Sequence, residues 1–387
     1  MFALSVVFCR CANTISTMRL SLWMIAACLA CATHLCAEEP AHAWPLWDGK
    51  ETVADYAQRV NLPPTKTLDL GNNVTLELVL IPAGTFVMGT PEPVPVDEEP
   101  FRKRVVIGEA LLAAGAGTLL VMLAVVVIRA IRRRSWPQVS LAWLIVLSAV
   151  LGVCSFGGIL WWKAVQELQP LLTEFELAKV RYEKSGVNER PAHLVTLTTP
   201  FYMGKYEVTQ SQYLQIQGIN PSRFQGPNNP VDGISWEDAD AYCEKASAII
   251  NETFRLPTEA EWEFACRAGT RSVYSSGDQE SDLAQVAWYS DNSKKSPHPV
   301  GMKAPNAFGL YDMHGNLWEW CLDRYSKYIS SPIIDPKGPA IGQHRILRGG
   351  SYIDNGEDIP VANRFDLSPF IRHSILGFRI VVSVRIP

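Results

Sequence analysis

Apolar and polar positions alternate along several segments of this chain, as they do in strands with one buried face. Residues 74–80 alternate and then become wholly apolar, and residues 81–89 continue through a Pro-Ala-Gly turn into a second apolar segment. Strands are predicted in the same way at 192–197 and 201–208. Beyond residue 269 the sequence favours loops and short strands.

Helical spacing of apolar residues predicts helices at 209–217, 235–250 and 256–267. Thr209 and Ser235 are suited to cap the first two, because a side-chain oxygen at the N-cap can accept from a free backbone N–H. In the third, Thr258 is followed three positions later by Glu261, which is the pattern of a capping box.

Two long apolar blocks separate the strand at 81–89 from the strand at 192–197. Residues 105–131 and 139–162 are each long enough to cross a bilayer of roughly 30 Å, and neither shows the polar face that two buried helices of a soluble core would have. The sequence therefore predicts a transmembrane hairpin. Arg132, Arg133 and Arg134 place its loop in the cytoplasm by the positive-inside rule, with both flanks on the other side.

Residues 163–190 have helical apolar spacing and mixed charge. They are predicted to continue the second span as an amphipathic stalk. A partner-binding helix is the alternative.

Residues 1–37 have the pattern of a secretory signal, with a basic residue, an apolar run and small residues before two acids. Three outcomes stay open: cleavage near Ala37, lipidation at Cys28 in a lipoprotein-like box, or a retained membrane anchor. Each sends the following residues across a membrane.

Composition adds limits rather than a function. The net charge is −4 and the pI about 6.0, so no nucleic-acid partner is expected. Most of the nine cysteines lie in the apolar segments, and only Cys243, Cys266 and Cys321 belong to the polar part. An odd number of three cannot form a disulfide framework.

Residues 306–321 concentrate aromatic residues, turn formers and oxygen ligands. Asp312 and Glu319 lie seven positions apart, with Gly315 and Leu317 between them. Two carboxylates and backbone carbonyls suit Ca²⁺, which takes about six to eight oxygen ligands. The alternative is a polar turn between buried aromatic residues, with no metal.

A series of motifs extends this picture: IPAGTFVMG at 81–89, YEVT at 206–209, SWEDA at 235–239, RLPTEAEWE at 255–263, GLYDMHGNLWEW at 309–320, RGGSY at 348–352 and GFR at 377–379. In this order the series resembles the formylglycine-generating enzyme (sulfatase-modifying factor) family over 74–89 and 192–384. The resemblance implies an α+β fold, the family's variant of the C-type lectin fold with low regular secondary structure. The transmembrane hairpin would be an insertion at a surface loop of that fold.

The resemblance implies a Ca²⁺ site built by Asp312, Gly315, Leu317 and Glu319, which match the family's ligands at this spacing. We expect this ion to be structural.

The resemblance argues against the family's copper chemistry. Asp354 and Ile359 stand where the family has its two oxygen-activating cysteines, and no cysteine follows Cys321. Soft thiolates hold Cu(I), so copper is not expected. Ser351 and Arg364 match or neighbour positions of the family's pocket, which would then be a binding site at most.

Cys243 and Cys266 match family cysteines whose partner positions hold Ile380 and Arg364 here, so we expect both to be free; pairing with each other is the alternative. The family also contains iron-dependent sulfoxide synthases with a three-histidine site. The histidines of the polar part are scattered, and each is expected at the surface or in a turn: His193, His298, His314, His344 and His373.

These inferences predict a signal segment (1–37), a linker (38–73), the first strands (74–104), the transmembrane hairpin (105–162), the stalk (163–190) and the rest of the domain (191–387). We expect a membrane-anchored domain on the periplasmic or extracellular side that binds a protein or peptide without catalysis. One alternative is an oxidoreductase that modifies a sulfatase or another protein through a different metal site, with Asp354, Glu357, Asp358 and His373 as candidate ligands. The other is a structural role in which Ca²⁺ only stabilises the fold.

Overall fold

The computed structural model describes residues 44–93, 95–133 and 141–384, and parts of its two longest helices as backbone only. The predicted signal segment with its three alternatives lies outside the described residues. So does the part of the predicted cytoplasmic loop from Arg134 to residue 140.

The described residues form short elements apart from two long helices. The helices are α1 (Val53–Arg59), α2 (Glu99–Arg133), α3 (Leu141–Lys184), α4 (Gln210–Gln217), α5 (Trp236–Ile250), α6 (Glu259–Arg267) and α7 (Glu280–Leu283). The strands are β1 (Thr65–Gly71), β2 (Val74–Ile81), β3 (Gly84–Met88), β4 (His193–Leu197), β5 (Phe201–Gly204), β6 (Phe254–Arg255), β7 (Ala287–Trp288), β8 (His314–Gly315), β9 (Trp318–Arg324), β10 (Ile333–Ile334), β11 (Arg345–Arg348), β12 (Phe365–Leu367), β13 (Leu376–Gly377) and β14 (Val381–Ser383).

These strands pair in four small sheets within the described residues. Their orders are β1-β2-β5-β14-β6, β10-β4-β3, β12-β11-β9-β13 and β7-β8. The C-terminal strand β14 lies between β5 and β6 and is antiparallel to both. The last described strand therefore joins the same sheet as β1 and β2.

The three predicted capped helices are confirmed. Thr209, Ser235 and Thr258 each accept from the backbone N–H three positions on, at the start of α4, α5 and α6. Glu261 completes the capping box by accepting from the Thr258 N–H at 2.8 Å. Local side-chain chemistry thus sets where these helices begin.

Residues 44–71 belong to the folded domain, although the sequence pattern places them in a linker. The strand β1 pairs with β2, and Trp44 and Tyr56 are buried in the same core as β2. The Tyr56 hydroxyl accepts from the Ala83 N–H at 3.2 Å. The polar composition of this segment concealed two anchoring aromatic residues.

The strands β3 and β4 pair directly although residues 89–192 separate them in the chain. The intervening residues form α2 and α3, which pack against each other in antiparallel orientation. Gly108 contacts Gly157, and Gly115 contacts Cys154. A Cβ atom at Gly108 would lie 2.8 Å from the Gly157 carbonyl oxygen, so the helices approach closely there. Two long helices that pack against each other therefore lie between the paired strands β3 and β4 in chain order.

The transmembrane character of this hairpin is not supported. Over residues 44–93, 95–133 and 141–384, no helix combines the length and the hydropathy that a bilayer span requires.

Five charged side chains make a buried network at the centre of the domain. Arg348 lies 2.7 Å from Glu263 and donates through Nε to Glu259 at 3.0 Å. Arg364 also donates to Glu259 at 2.7 Å, and Arg267 to Glu263 at 2.7 Å. Burial would raise the pKa of the Glu259 carboxyl, but the two guanidinium groups beside it hold that pKa below its usual value.

His314 and His193 lie in strands β8 and β4 and are 1% and 5% exposed, so the expected surface or turn position is wrong for both. The His314 Nε2 accepts from the Ser275 N–H at 3.0 Å, and its Nδ1 lies 3.0 Å from the Ile359 carbonyl oxygen. Burial lowers the pKa of His314 to about 4. A neutral imidazole therefore joins two loops here.

Replacing Arg348 with Met should destabilise the full chain by about 3–5 kcal/mol, because Glu259 and Glu263 would lose a buried partner. The matched control is Arg372→Met, which removes an ion pair with Asp238 whose side chains are 59% and 25% exposed. That loss should cost less than about 1 kcal/mol. Urea unfolding measures both, and equal effects would contradict the central role of Arg348.

His314 should make stability depend on pH. Its folded-state pKa of about 4 is below the unfolded value, so its contribution is complete above about 6.5 and is lost as the pH falls toward 4. Between pH 7 and 5 the loss should be about 2 kcal/mol. Urea unfolding of the wild type and of His314→Gln at both pH values isolates the contribution of His314 to the free energy of unfolding.

The exposed His373→Gln provides the control for that comparison. It should keep the wild-type difference between the two pH values. If His314→Gln keeps it as well, the imidazole is not the group responsible.

Candidate functional site

The stretch 306–321 contains β8, a sharp turn and the start of β9. Asp312, Gly315 and Asn316 all have left-handed backbone angles, with φ of 56°, 71° and 57°. A Cβ atom at Gly315 would lie 2.0 Å from the Trp288 carbonyl oxygen, so only glycine fits this position. Trp320 is fully buried beyond the turn.

This turn brings buried carboxylates together. Asp312, Glu319 and Glu207 are 1%, 0% and 1% exposed. Arg379 pairs with Glu319 through two hydrogen bonds of 2.7 Å. Three carboxylates therefore act on one another beside one paired guanidinium group, and their environment has an excess of negative charge.

Sequence reasoning missed Glu207. The Glu207 carboxylate accepts from the Asn316 side-chain amide at 2.6 Å and from the Leu317 N–H at 3.0 Å. Burial raises its pKa well above the usual value, and the charges of Asp312 and Glu319 add to this. The available signal was the single acid in the YEVT motif at 206–209.

Asp312 has the strongest need of a further partner. Its Oδ2 accepts from the Gly301 N–H at 2.7 Å, whereas its Oδ1 is buried and has no hydrogen-bond partner. Burial raises the pKa of this carboxyl to about 6. An unpartnered carboxylate oxygen in an acidic cluster fits a hard cation such as Ca²⁺.

The other three predicted ligands fit less directly. Gly315 and Leu317 lie in the same turn, and their N–H groups donate to Gly349 and Glu207. Glu319 is held by Arg379 and by the Trp262 indole N–H at 2.6 Å. Across the described ranges, no group of three His, Cys, Asp or Glu side chains is placed to hold a metal. A cation here would need backbone carbonyls as well.

The two positions expected to carry reactive cysteines are occupied by structural side chains. The Asp354 carboxylate accepts from the Ser351 N–H at 2.8 Å and from the Ser351 hydroxyl at 2.7 Å. Ile359 is fully buried in a small core with Tyr274 and Leu283. Neither side chain offers a soft ligand to a metal or a thiol to a substrate.

Neither of the two predicted pocket residues is open to a ligand. Ser351 is fully buried and bonded to Asp354. Arg364 is 2% exposed and belongs to the Glu259 ion pair. The ion pair with Glu259 occupies the Arg364 guanidinium group, and the hydrogen bond to Asp354 occupies the Ser351 hydroxyl.

The three cysteines of the polar part are free and buried. Burial raises the pKa of each thiol. The Cys266 sulfur lies 3.7 Å from the His314 Nε2. Protonated thiols without exposure are poor nucleophiles and poor metal ligands.

Curated relatives share the globular part of the chain. The chaperone protein LppX of Paenibacillus barcinonensis is 31% identical over 44% of this chain and 76% of its own length. The formylglycine-generating enzyme of Streptomyces coelicolor is 39% identical over 43% of this chain and 59% of that enzyme. The serine/threonine-protein kinase pkn1 of Chlamydia caviae is 31% identical, and the match spans 39% of the kinase. The chain therefore spans less than two thirds of the length of the formylglycine-generating enzyme and of the kinase.

Solved structures agree with a mixed helix and sheet fold. Treponema denticola variable protein 1 has a TM-score of 0.50 and 32% identity, over 52% of this chain and 90% of that protein. PvdO from Pseudomonas aeruginosa has a TM-score of 0.54 over 83% of this chain and 99% of its own, and its 21% identity shows the fold alone.

The family described as the sulfatase-modifying factor enzyme 1-like domain matches residues 174–384, more than half of the chain. The turn and six of the seven motifs described above lie within this range, and the motif at 81–89 lies before it. The chain therefore belongs to the sulfatase-modifying factor enzyme 1-like domain family.

Proposed function

We propose that this protein binds a protein or peptide and does not carry out the oxidation of the formylglycine-generating enzymes it resembles. The observation that carries the proposal is the structural use of Asp354 and Ile359 at the family's cysteine positions. The Asp354 carboxylate is hydrogen-bonded to Ser351, and the Ile359 side chain is buried in a small core. Neither side chain can form a disulfide with a substrate or hold Cu(I) as a thiolate does.

The similarity to a protein named as a chaperone supports this reading, because a chaperone binds other proteins without changing their covalent structure. That relative covers more of its own length with this chain than the enzymes do. The Asp354 hydrogen bonds to Ser351 would also hold the loop after β11 in one shape, which favours recognition by a fixed surface.

The second candidate is an oxidoreductase that modifies a sulfatase or another protein through a different metal site. The similarity to formylglycine-generating enzymes favours it. Its candidate ligands were Asp354, Glu357, Asp358 and His373. The bond from Asp354 to Ser351 weakens this candidate, and so does the lack of any three-ligand cluster in the described part of the chain.

A structural Ca²⁺ ion is also part of the proposal. The unpartnered Oδ1 of Asp312 and the acidic excess around it support the ion. Asp312, the carbonyls of Gly315 and Leu317, and Glu319 would hold it, with Glu207 as an additional carboxylate. The ion would neutralise buried charge and fix the turn.

We also propose that the domain lies on the periplasmic or extracellular side of a membrane. This placement rests only on the signal pattern of residues 1–37 and the apolar blocks within 105–162. Digestion of the domain by protease added to intact spheroplasts tests the placement, and protection until lysis would refute it.

A Cys-containing sulfatase peptide should gain no aldehyde when incubated with the purified full chain, O₂, a reductant and added copper. Mass spectrometry of the peptide measures this. A formylglycine-generating enzyme supplies the positive control. Aldehyde formation above the level found in the absence of the protein would refute the proposed function.

Ca²⁺ should raise the melting temperature of the full chain relative to a chelator, by the equivalent of about 3 kcal/mol at a hundredfold excess over Kd. Asp312→Asn should abolish the response and should melt no lower than the chelated wild type, since it removes an uncompensated buried charge. The exposed Asp291→Asn is the control and should keep the response. No shift in the wild type would remove the ion from the proposal.

A further inference from the structure

Two arginine residues lie directly opposite each other on neighbouring strands. Arg324 ends β9 and Arg345 begins β11, and the two are direct partners in the antiparallel register. Like charges placed directly opposite each other destabilise a sheet. A pair of this kind therefore needs a compensating group.

Neither guanidinium group forms an ion pair within the described ranges, in contrast to Arg255, which pairs with a glutamate at 2.6 Å. Both groups instead donate to main-chain carbonyl oxygens. Nη1 of Arg345 donates to the Leu322 carbonyl at 2.6 Å, and Nη1 of Arg324 donates to the Gly342 carbonyl at 2.6 Å. These neutral acceptors orient both side chains and leave both positive charges without an ionic partner.

An aromatic ring holds the Arg345 guanidinium group in place. The group lies over the Trp236 ring, 3.6 Å from the ring centroid. Its Nε is buried and has no hydrogen-bond partner among the described residues. Burial lowers the pKa of Arg345, and the positive charge of Arg324 lowers it further. A preorganised cation with unused donors is suited to bind an oxyanion.

The carboxylates around this pair do not supply the missing partner. Asp240 on α5 and Asp323 on β9 act on Arg345 through their charges, but neither forms an ion pair with it. Asp323 accepts from the first backbone N–H of α6 at 2.9 Å. Asp366 on β12 is paired with His344 at 2.6 Å. An external anion is therefore the remaining way to match the two guanidinium groups.

Exposed apolar side chains flank the two arginines. Ile341, which precedes Gly342, is 90% exposed, and Phe365 on β12 is 44% exposed. Leu367, two residues further along β12, lies directly opposite Arg345 in the register. Arginine and aromatic residues are enriched in protein interfaces, so this mixture favours a protein ligand over a free ion.

We propose that Arg324 and Arg345 together bind one carboxylate group, on an aspartate or glutamate of the partner protein. The inference rests on the proposed function, since it names the chemistry that the binding domain recognises. The carboxylate would bridge β9 and β11 and relieve the repulsion between the two guanidinium groups. Neither arginine belongs to the Asp312 turn or to the loop 354–360.

Fluorescence anisotropy of labelled short peptides with the purified full chain tests this inference. The peptides are identical except for two central residues, which are Glu, Ala or Lys. The Glu peptide should bind about fivefold more tightly than the Ala peptide, and the Lys peptide should bind least. Added salt should reduce the difference, because it screens the exposed part of the site.

Variants then locate the binding. Arg324→Gln and Arg345→Gln should each remove most of the preference for Glu over Ala. Arg223→Gln, at an exposed arginine of another loop, is the matched control and should keep the preference. Asp240→Asn should strengthen binding of the Glu peptide by about twofold, because it removes a negative charge that acts on Arg345. General destabilisation would not produce such a gain.

Three results would overturn the inference. They are equal or undetectable binding of the Glu and Ala peptides, a Glu preference that both arginine variants keep, and displacement of the Glu peptide by equimolar inorganic phosphate at constant ionic strength. The last result would assign the two arginines to a free oxyanion instead. The aldehyde assay on the Cys-containing peptide decides the proposed function separately, and aldehyde formation would overturn that function whichever peptide binds.

Discussion

Charge taken out of water must be paired, and this requirement organises the centre of the domain. Arg348 is fully buried and reaches both Glu259 and Glu263, so it ties β11 to α6. Arg364 adds the segment before β12 to the same pair of elements. Such pairs contribute little net stability compared with an apolar core, but an unmatched member costs several kcal/mol. They therefore specify one arrangement of the loops, which regular secondary structure alone does not fix in this fold.

The same rule exposes the place where pairing is incomplete. Arg379 satisfies Glu319, but Glu207 and Asp312 are buried beside it without a second guanidinium group. A divalent cation or bound protons would balance them, and the unpartnered Asp312 Oδ1 favours the cation. The turn thus contributes to the scaffold through charge balance. The loop after Ser351 follows a different logic, because Asp354 and Ile359 are satisfied within the protein. A scaffold that is kept and a reactive pair that is replaced together support the proposed binding function.

The inserted hairpin connects to this domain at a chemically defined place. Its two ends meet beside β3 and β4, where the Thr90 hydroxyl donates a hydrogen bond to the Glu189 carboxylate.

The sequence by itself determined the local structure and the family. Capping residues such as Thr258 act over three positions, and apolar alternation acts within one strand, so both can be read directly. The sequence also placed Asp312 and Glu319 in one turn and showed that Asp354 and Ile359 are not thiols. Only the tertiary structure decided which charges meet. Glu207 reaches Asp312 from more than a hundred positions away, and Arg364 is drawn from the expected pocket into the Glu259 pair. Burial and pairing depend on contacts between distant segments, and no local pattern encodes those contacts.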